Sequence, residues 1–166
     1  MRPLYQRKRK VCKMDYVLDI VIPKKEIEAV KLKENLIEWG DSVYSCSPPQ
    51  YFTDSNIIFE QIEDIKYYEK KIGKKFSNEV VILHLMSDVL FELEYEINSG
   101  DKNLEKNELL LFLKDLFELK EFYILLIRED ERVKECYRIF TKEEIGDKLS
   151  ESLKWDNPKD ILLFKY

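Results

Sequence analysis

Residues 122–128, with the sequence FYILLIR, constrain the fold of this chain more than any other segment. Successive side chains of a β-strand point to opposite faces of the sheet, and here both faces are apolar as far as Ile127. A strand with one wet face would instead alternate apolar and polar residues. The segment therefore predicts a β-strand in the centre of a sheet.

Other strands are predicted in the N-terminal part of the chain. Residues 16–22, YVLDIVI, have the composition of a strand, and Pro23 ends it. Residues 24–39 have apolar side chains at helical spacing, followed by Gly40, which predicts a helix. A second short strand is expected at 42–47. Strand, helix and strand of this length match a βαβ unit, although an antiparallel return is also possible.

The C-terminal part predicts a hairpin, a helix and a last strand. A polar turn at 129–131 separates the strand described first from a returning strand at 133–140 with one wet face. Thr141 and Glu144 have the spacing of a capping box, which starts a helix. The last strand is expected at 160–164.

The longest apolar-rich segment is 78–98, NEVVILHLMSDVLFELEYEIN. Its apolar side chains recur at steps of three and four: Ile82, Met86, Val89, Leu90, Leu93 and Ile97. Asn78 suits a helix N-cap and Gly100 lies just past the end, so a single helix is predicted. A strand is the alternative for residues 80–85, because that run is rich in β-branched side chains.

Two further helices are predicted on either side of this segment. One covers 56–72 and ends before Gly73, and the other starts at 101–103. Residues 56–119 would then form a block of three helices. The predicted fold is α/β (α+β), with a small mixed sheet from N- and C-terminal strands packed against this block in a single domain over 14–166.

The charge of the chain is divided unevenly. Its 166 residues have a net charge of −5, but residues 1–13 have six basic side chains and no acidic one. The other 22 basic and 33 acidic residues give the remainder a charge of −11. Residues 1–13 are expected to be a disordered basic arm or an extension, since Met14 offers a second start. An acidic body repels nucleic acid and attracts basic proteins, so nucleic acid is not the expected partner.

The cysteines and the apolar runs indicate in which cellular compartment the protein is expected. Cys12, Cys46 and Cys136 are widely spaced without a CxxC pair, which fits neither a disulfide framework nor a zinc site. Uninterrupted apolar runs such as 109–113 and 122–127 are too short to cross a bilayer. The sequence predicts a cytoplasmic protein that does not bind membranes.

One line of polar residues invites a functional interpretation. His84, Asp88, Glu92 and Glu96 follow each other at steps of four, which places them on one side of the predicted helix. They could be the solvated side of an amphipathic helix, a strip that binds a basic partner, or metal ligands. A metal site normally needs more than one histidine and scattered carboxylates, so no metal is expected.

The sequence has no motif for catalysis or for a cofactor. His84 is the single histidine, and no nucleophile elbow, dinucleotide fingerprint, P-loop or HExxH motif is present. Carboxylates are so abundant that any pair of them proves nothing about acid–base chemistry. We therefore expect a protein without enzymatic activity and without a cofactor.

Residues 62–80, IEDIKYYEKKIGKKFSNEV, resemble the opening helix of the SUKH-type immunity family, in which an I-x-x-x-E-x-x-x-G pattern leads into a turn. That family continues into strands, whereas a helix is predicted here. In its acidic body and its many tyrosines the chain also resembles bacterial immunity proteins of contact-dependent inhibition or polymorphic toxin systems.

The resemblance implies a binding inhibitor that occludes the active site of a cognate nuclease-type toxin with a basic surface. The expected partner-binding residues, chosen for charge and exposure, are Asp88, Glu92, Glu96, Glu129, Asp130 and Glu131. The alternatives are a nucleic-acid-associated regulator that uses the basic arm, and an enzyme of unrecognised class.

Overall fold

The structure is a computed structural model, and it describes residues 16–23, 25–26, 36–39, 43–46, 57–61, 65–76, 80–85, 89–100, 104–128 and 135–166. The strands are β1 (Tyr16–Pro23), β2 (Leu36–Trp39), β3 (Val43–Cys46), β4 (Ile57–Gln61), β5 (Val80–Leu85), β6 (Phe122–Arg128), β7 (Glu135–Arg138) and β8 (Ile161–Lys165). The α-helices in the described ranges are α1 (Ile65–Ile72), α2 (Val89–Ser99), α3 (Glu108–Asp115) and α4 (Lys142–Ser152). Short 3₁₀ turns lie at Leu104–Lys106 and Leu116–Glu118.

The eight strands found among the described residues form one mixed sheet with the order β2-β3-β4-β5-β1-β6-β8-β7. All neighbouring strands are antiparallel except β7 and β8, which are parallel. β1 lies near the middle, where it pairs with β5 on one side and with β6 on the other. β1 is therefore held by strands whose paired residues lie 57 to 112 positions later in the sequence; Asp19, for example, is opposite His84 on β5 and Leu125 on β6.

The alternation of side chains along β1 divides the core between the two faces of the sheet. Leu18, Ile20 and Ile22 are fully buried in a cluster with apolar side chains of α2, α3 and α4. Val21 faces the other way and packs in a second cluster with Tyr68 of α1. A strand that is apolar on both faces needs a layer on each side, and the helices supply both layers.

The predicted class is confirmed: the fold is α+β, with a mixed sheet that includes N- and C-terminal strands and with helices packed against it. The prediction of a central strand at 122–128 is also confirmed, since the side chains from Phe122 to Ile127 are buried in β6. The expected strands at 16–22, 42–47 and 160–164 correspond to β1, β3 and β8.

The prediction of a single helix over 78–98 is wrong. Residues 80–85 form strand β5, which is the alternative that the branched side chains favoured, and only Val89–Ser99 is helical. β5 pairs with β1 and with β4. A run of valine and isoleucine fits a position between two strands better than a helix, where branched side chains lose rotamer freedom.

Two other segments that were predicted as parts of helices, 24–39 and 56–72, contain strands. Leu36–Trp39 and Ile57–Gln61 are strands that lie on either side of β3. The block of three helices over 56–119 is therefore interrupted by β4 and β5, although α1, α2 and α3 lie inside it. β1 and β3 are not neighbours in the sheet, so the βαβ unit is not formed either.

At the C-terminus the predicted hairpin is wrong but the predicted helix start is confirmed. β8 inserts between β6 and β7, so β7 pairs with β8 rather than with the strand that precedes it. The capping box is present at α4, where the backbone N–H of Thr141 donates to the Glu144 carboxylate at 3.1 Å. Local capping chemistry was readable from sequence, whereas the choice of a strand partner was not.

None of the helices in the described ranges combines the length and apolar character that a membrane span requires. The basic arm predicted at 1–13 and the polar turn predicted at 129–131 lie outside the described residues.

Candidate protein-interaction surface

Helix α2 has two large aromatic side chains that the core does not cover. Phe91 is 47% exposed and Tyr95 is 56% exposed, although Leu93 on the same helix is fully buried. Residues four apart lie on the same side of a helix, so the two rings are neighbours along its outer side. Glu92, which is also exposed, lies next to them.

Trp155, in the segment after α4, contacts this helix. The Trp155 indole N–H donates to the Glu94 carboxylate at 2.5 Å, and its ring centroid lies 6.4 Å from that of Tyr95. Asn98 holds the same segment through its own side chain. Its Nδ2 donates to the carbonyl of Leu153, and its Oδ1 accepts from the backbone N–H of Trp155. Two hydrogen bonds from Trp155 and one to Leu153 therefore hold this segment against α2.

We call Phe91, Glu92, Tyr95 and Trp155 the α2 surface. Large aromatic side chains that are rigid and partly exposed are typical of residues that contribute most to binding in protein interfaces. The adjacent carboxylate gives the surface a negative charge. Between Lys75 and Lys102 the sequence contains six carboxylates and no lysine or arginine, so no basic residue of α2 offsets that charge; the exposed Lys154 lies beside Trp155.

Glu94 lies beneath this surface and is only 3% exposed. Burial disfavours the charged form of a carboxyl group and raises the pKa of Glu94 from 4.5 to about 7, although the hydrogen bond from Trp155 opposes the shift. The protonation of this group therefore changes near neutral pH, directly under the aromatic rings.

Two of the six predicted partner-binding residues, Glu92 and Glu96, lie in the part of the chain that the structure describes. Glu92 is exposed on the α2 surface as expected. Glu96 is half-buried, and its Oε2 accepts from the Asn107 side chain at 2.7 Å, which ties α2 to the start of α3. The other four predicted residues lie outside the described residues: Asp88, Glu129, Asp130 and Glu131.

His84 is placed differently from the prediction. It lies on β5 instead of a helix, so it shares no helical line with Glu92 and Glu96. Its Nδ1 lies 2.6 Å from Oδ1 of the buried Asp19 on β1, and Tyr68 of α1 donates to Oδ2 of the same carboxylate at 2.8 Å. This cluster joins two central strands and the helix that covers them.

The cluster of His84, Asp19 and Tyr68 has the contacts of a structural network. A buried carboxylate is costly unless its oxygens accept hydrogen bonds, and here both of them do. No group of three or more histidine, cysteine, aspartate or glutamate side chains within the described ranges is arranged to hold a metal ion.

Sequence analysis missed the aromatic part of the α2 surface, although one signal was present. Phe91 and Tyr95 stand four residues apart among the carboxylates of α2, which is visible in the sequence. The contribution of Trp155 could not be read in the same way, because its partner Glu94 is 61 residues away.

Comparison of the chain with protein-family models, with curated proteins and with solved structures found no match.

Proposed function

We propose that this protein is a binding inhibitor without catalytic activity, an immunity protein that neutralises a nuclease-type bacterial toxin in the cytoplasm. The observation that supports it most is the α2 surface, in which Phe91 and Tyr95 are exposed beside Glu92 on a helix without basic residues. Nuclease clefts bind phosphates and are therefore basic, so a negative surface with aromatic anchors is complementary to them.

In the proposed mechanism the α2 surface covers the cleft and keeps the nucleic acid out. Charge attraction would raise the rate of association, and this effect would weaken as salt is added. The rings of Tyr95 and Phe91 would supply most of the lasting affinity, because burial of an aromatic side chain slows dissociation. Helix α1 ends at Ile72 and strand β5 begins at Val80. A helix followed by a strand is the order of elements that the SUKH resemblance implies, and we take it as support for the proposal.

The first step of the test is to search the genes beside the one for this chain for a toxin domain, which is then used as the partner. Nuclease inhibition and calorimetric affinity are measured for the native chain and for the variants Tyr95→Ala and Glu92→Lys. Truncation of an aromatic anchor costs about 2 kcal/mol or more, which corresponds to an affinity about 30-fold lower. Tyr67→Ala is the matched control, since Tyr67 is an exposed tyrosine on α1.

Failure of the native chain to inhibit the neighbouring toxin would remove the immunity assignment. Inhibition that survives the double variant Tyr95→Ala, Glu92→Lys at full strength would instead keep the function and reject the α2 surface as the binding site.

A further inference from the structure

A second exposed surface has the opposite charge and lies around the last strand. The Lys74 Nζ is 4.4 Å from the ring centroid of Tyr166, whose ring is stacked on that of Phe164 with centroids 5.3 Å apart. The Arg138 guanidinium carbon is 5.2 Å from the centroid of the Tyr166 ring and 5.8 Å from that of the Phe140 ring. Cations and rings therefore alternate in the order Lys74, Tyr166, Arg138 and Phe140, which we call the basic aromatic strip.

The rings of the strip are accessible. Tyr166 is 57% exposed and Phe140 is 69% exposed, which is the largest exposure among the big apolar side chains of the described residues. Arg138 is exposed as well, and its Nη2 donates to the main-chain oxygen of Tyr166 at 2.8 Å. That hydrogen bond holds the guanidinium beside the rings.

The basic character continues beyond Lys74 into an open cleft. Lys25, Lys74 and Lys75 line it together with the apolar side chains of Pro23, Phe76 and Val80. Glu121 is the one acidic residue in the lining, and its carboxylate already accepts from Lys74 at 3.2 Å and from the Tyr123 hydroxyl at 2.7 Å. The cleft therefore presents an excess of positive charge in a chain that is acidic as a whole.

We propose that the basic aromatic strip binds single-stranded nucleic acid. Such strands present phosphates and unpaired base faces in alternation, and proteins bind them with cations and with aromatic rings on which the bases stack. A duplex hides its base faces, so the exposed rings favour a single strand. An acidic peptide could pair with the cations, but its carboxylates would make no use of the exposed rings of Tyr166 and Phe140.

The proposal does not depend on the α2 surface, because the two surfaces share no residue. The strip is also a different binding element from the basic arm predicted at residues 1–13. The strip is assembled from residues 74, 138, 140 and 166, so counting charges along the sequence could not reveal it.

The test is fluorescence anisotropy of a labelled 15-nucleotide oligo-dT with the full chain at increasing salt concentration. Tyr166→Ala and Phe140→Ala are each expected to weaken binding about tenfold, because each removes one stacking platform. Arg138→Gln is expected to reduce the slope of log affinity against log salt by about one unit. Tyr67→Ala, at an exposed tyrosine of α1, and Lys154→Gln are the matched aromatic and cationic controls, and neither should change binding.

Three results would overturn the proposal. One is no binding of the oligonucleotide even at low salt. Another is binding that is lost when the six basic residues of the arm are changed to glutamine but is unaffected by Tyr166→Ala. The third is displacement of the oligonucleotide by poly-glutamate at equal charge concentration, which would indicate a site for acidic protein segments. Circular dichroism of each variant confirms that the fold is intact.

Discussion

Replacing Glu94 by glutamine should make the stability of this protein less dependent on pH. The fold buries Glu94 and raises its pKa to about 7, whereas the unfolded chain has the ordinary value of 4.5. The folded state therefore binds the proton more tightly than the unfolded state. The resulting stabilisation is complete below the unfolded pKa and is lost as the pH rises through the folded pKa.

The size of the effect follows from the two pKa values. One unit of pKa difference corresponds to about 1.4 kcal/mol, so ionisation of this group should lower the free energy of unfolding by about 2 to 3 kcal/mol between pH 5 and pH 8. Glutamine has a similar shape and can still accept the indole N–H of Trp155, but it does not ionise. At pH 8 the Glu94→Gln variant should therefore be about 2 kcal/mol more stable than the native chain, and at pH 5 about equally stable.

Urea denaturation followed by far-UV circular dichroism at pH 5, 6, 7 and 8 measures this difference. Glu92→Gln is the control, because it makes the same chemical change at an exposed site two residues away. Equal pH dependence of Glu94→Gln and the native chain would refute the argument, and so would a Glu92→Gln variant that loses the pH dependence equally.

Two further predictions concern single contacts in the fold. Tyr68→Phe keeps the ring but removes the hydroxyl that donates to Asp19, so it should lower the free energy of unfolding by about 1–3 kcal/mol in thermal or urea unfolding. The control is Tyr95→Phe at an exposed site, which should change the free energy of unfolding by less than about 0.5 kcal/mol. Gly73 has a φ of +79° after α1, and a Cβ atom added there would have no heavy atom within 4 Å outside its chain neighbours. Gly73→Ala should therefore cost about 1 kcal/mol through backbone conformation alone, and Gly73→Asn should cost less, since asparagine tolerates this region better. Equal unfolding free energies for the Ala and Asn variants would contradict that explanation.

Glu92 and Glu96 show which properties of a candidate site can be predicted from sequence and which cannot. The exposed Glu92 was selected from charge and spacing, and the structure places it on the α2 surface. Glu96 was selected by the same rule, yet it bonds to Asn107, because the start of α3 approaches that side of α2. Which carboxylates are covered depends on the helices that pack beside them, and a single periodic pattern has no information about those neighbours.

The sequence by itself determined the features that depend on a few adjacent residues. The segment 122–128 was recognisable as a central strand from its apolar faces, and Thr141 with Glu144 marked the start of α4 by local hydrogen-bonding chemistry. Only the tertiary structure decided that 80–85 is a strand and that β8 lies between β6 and β7. A strand is completed by backbone hydrogen bonds to distant segments, so its existence and order depend on partners that local patterns do not specify.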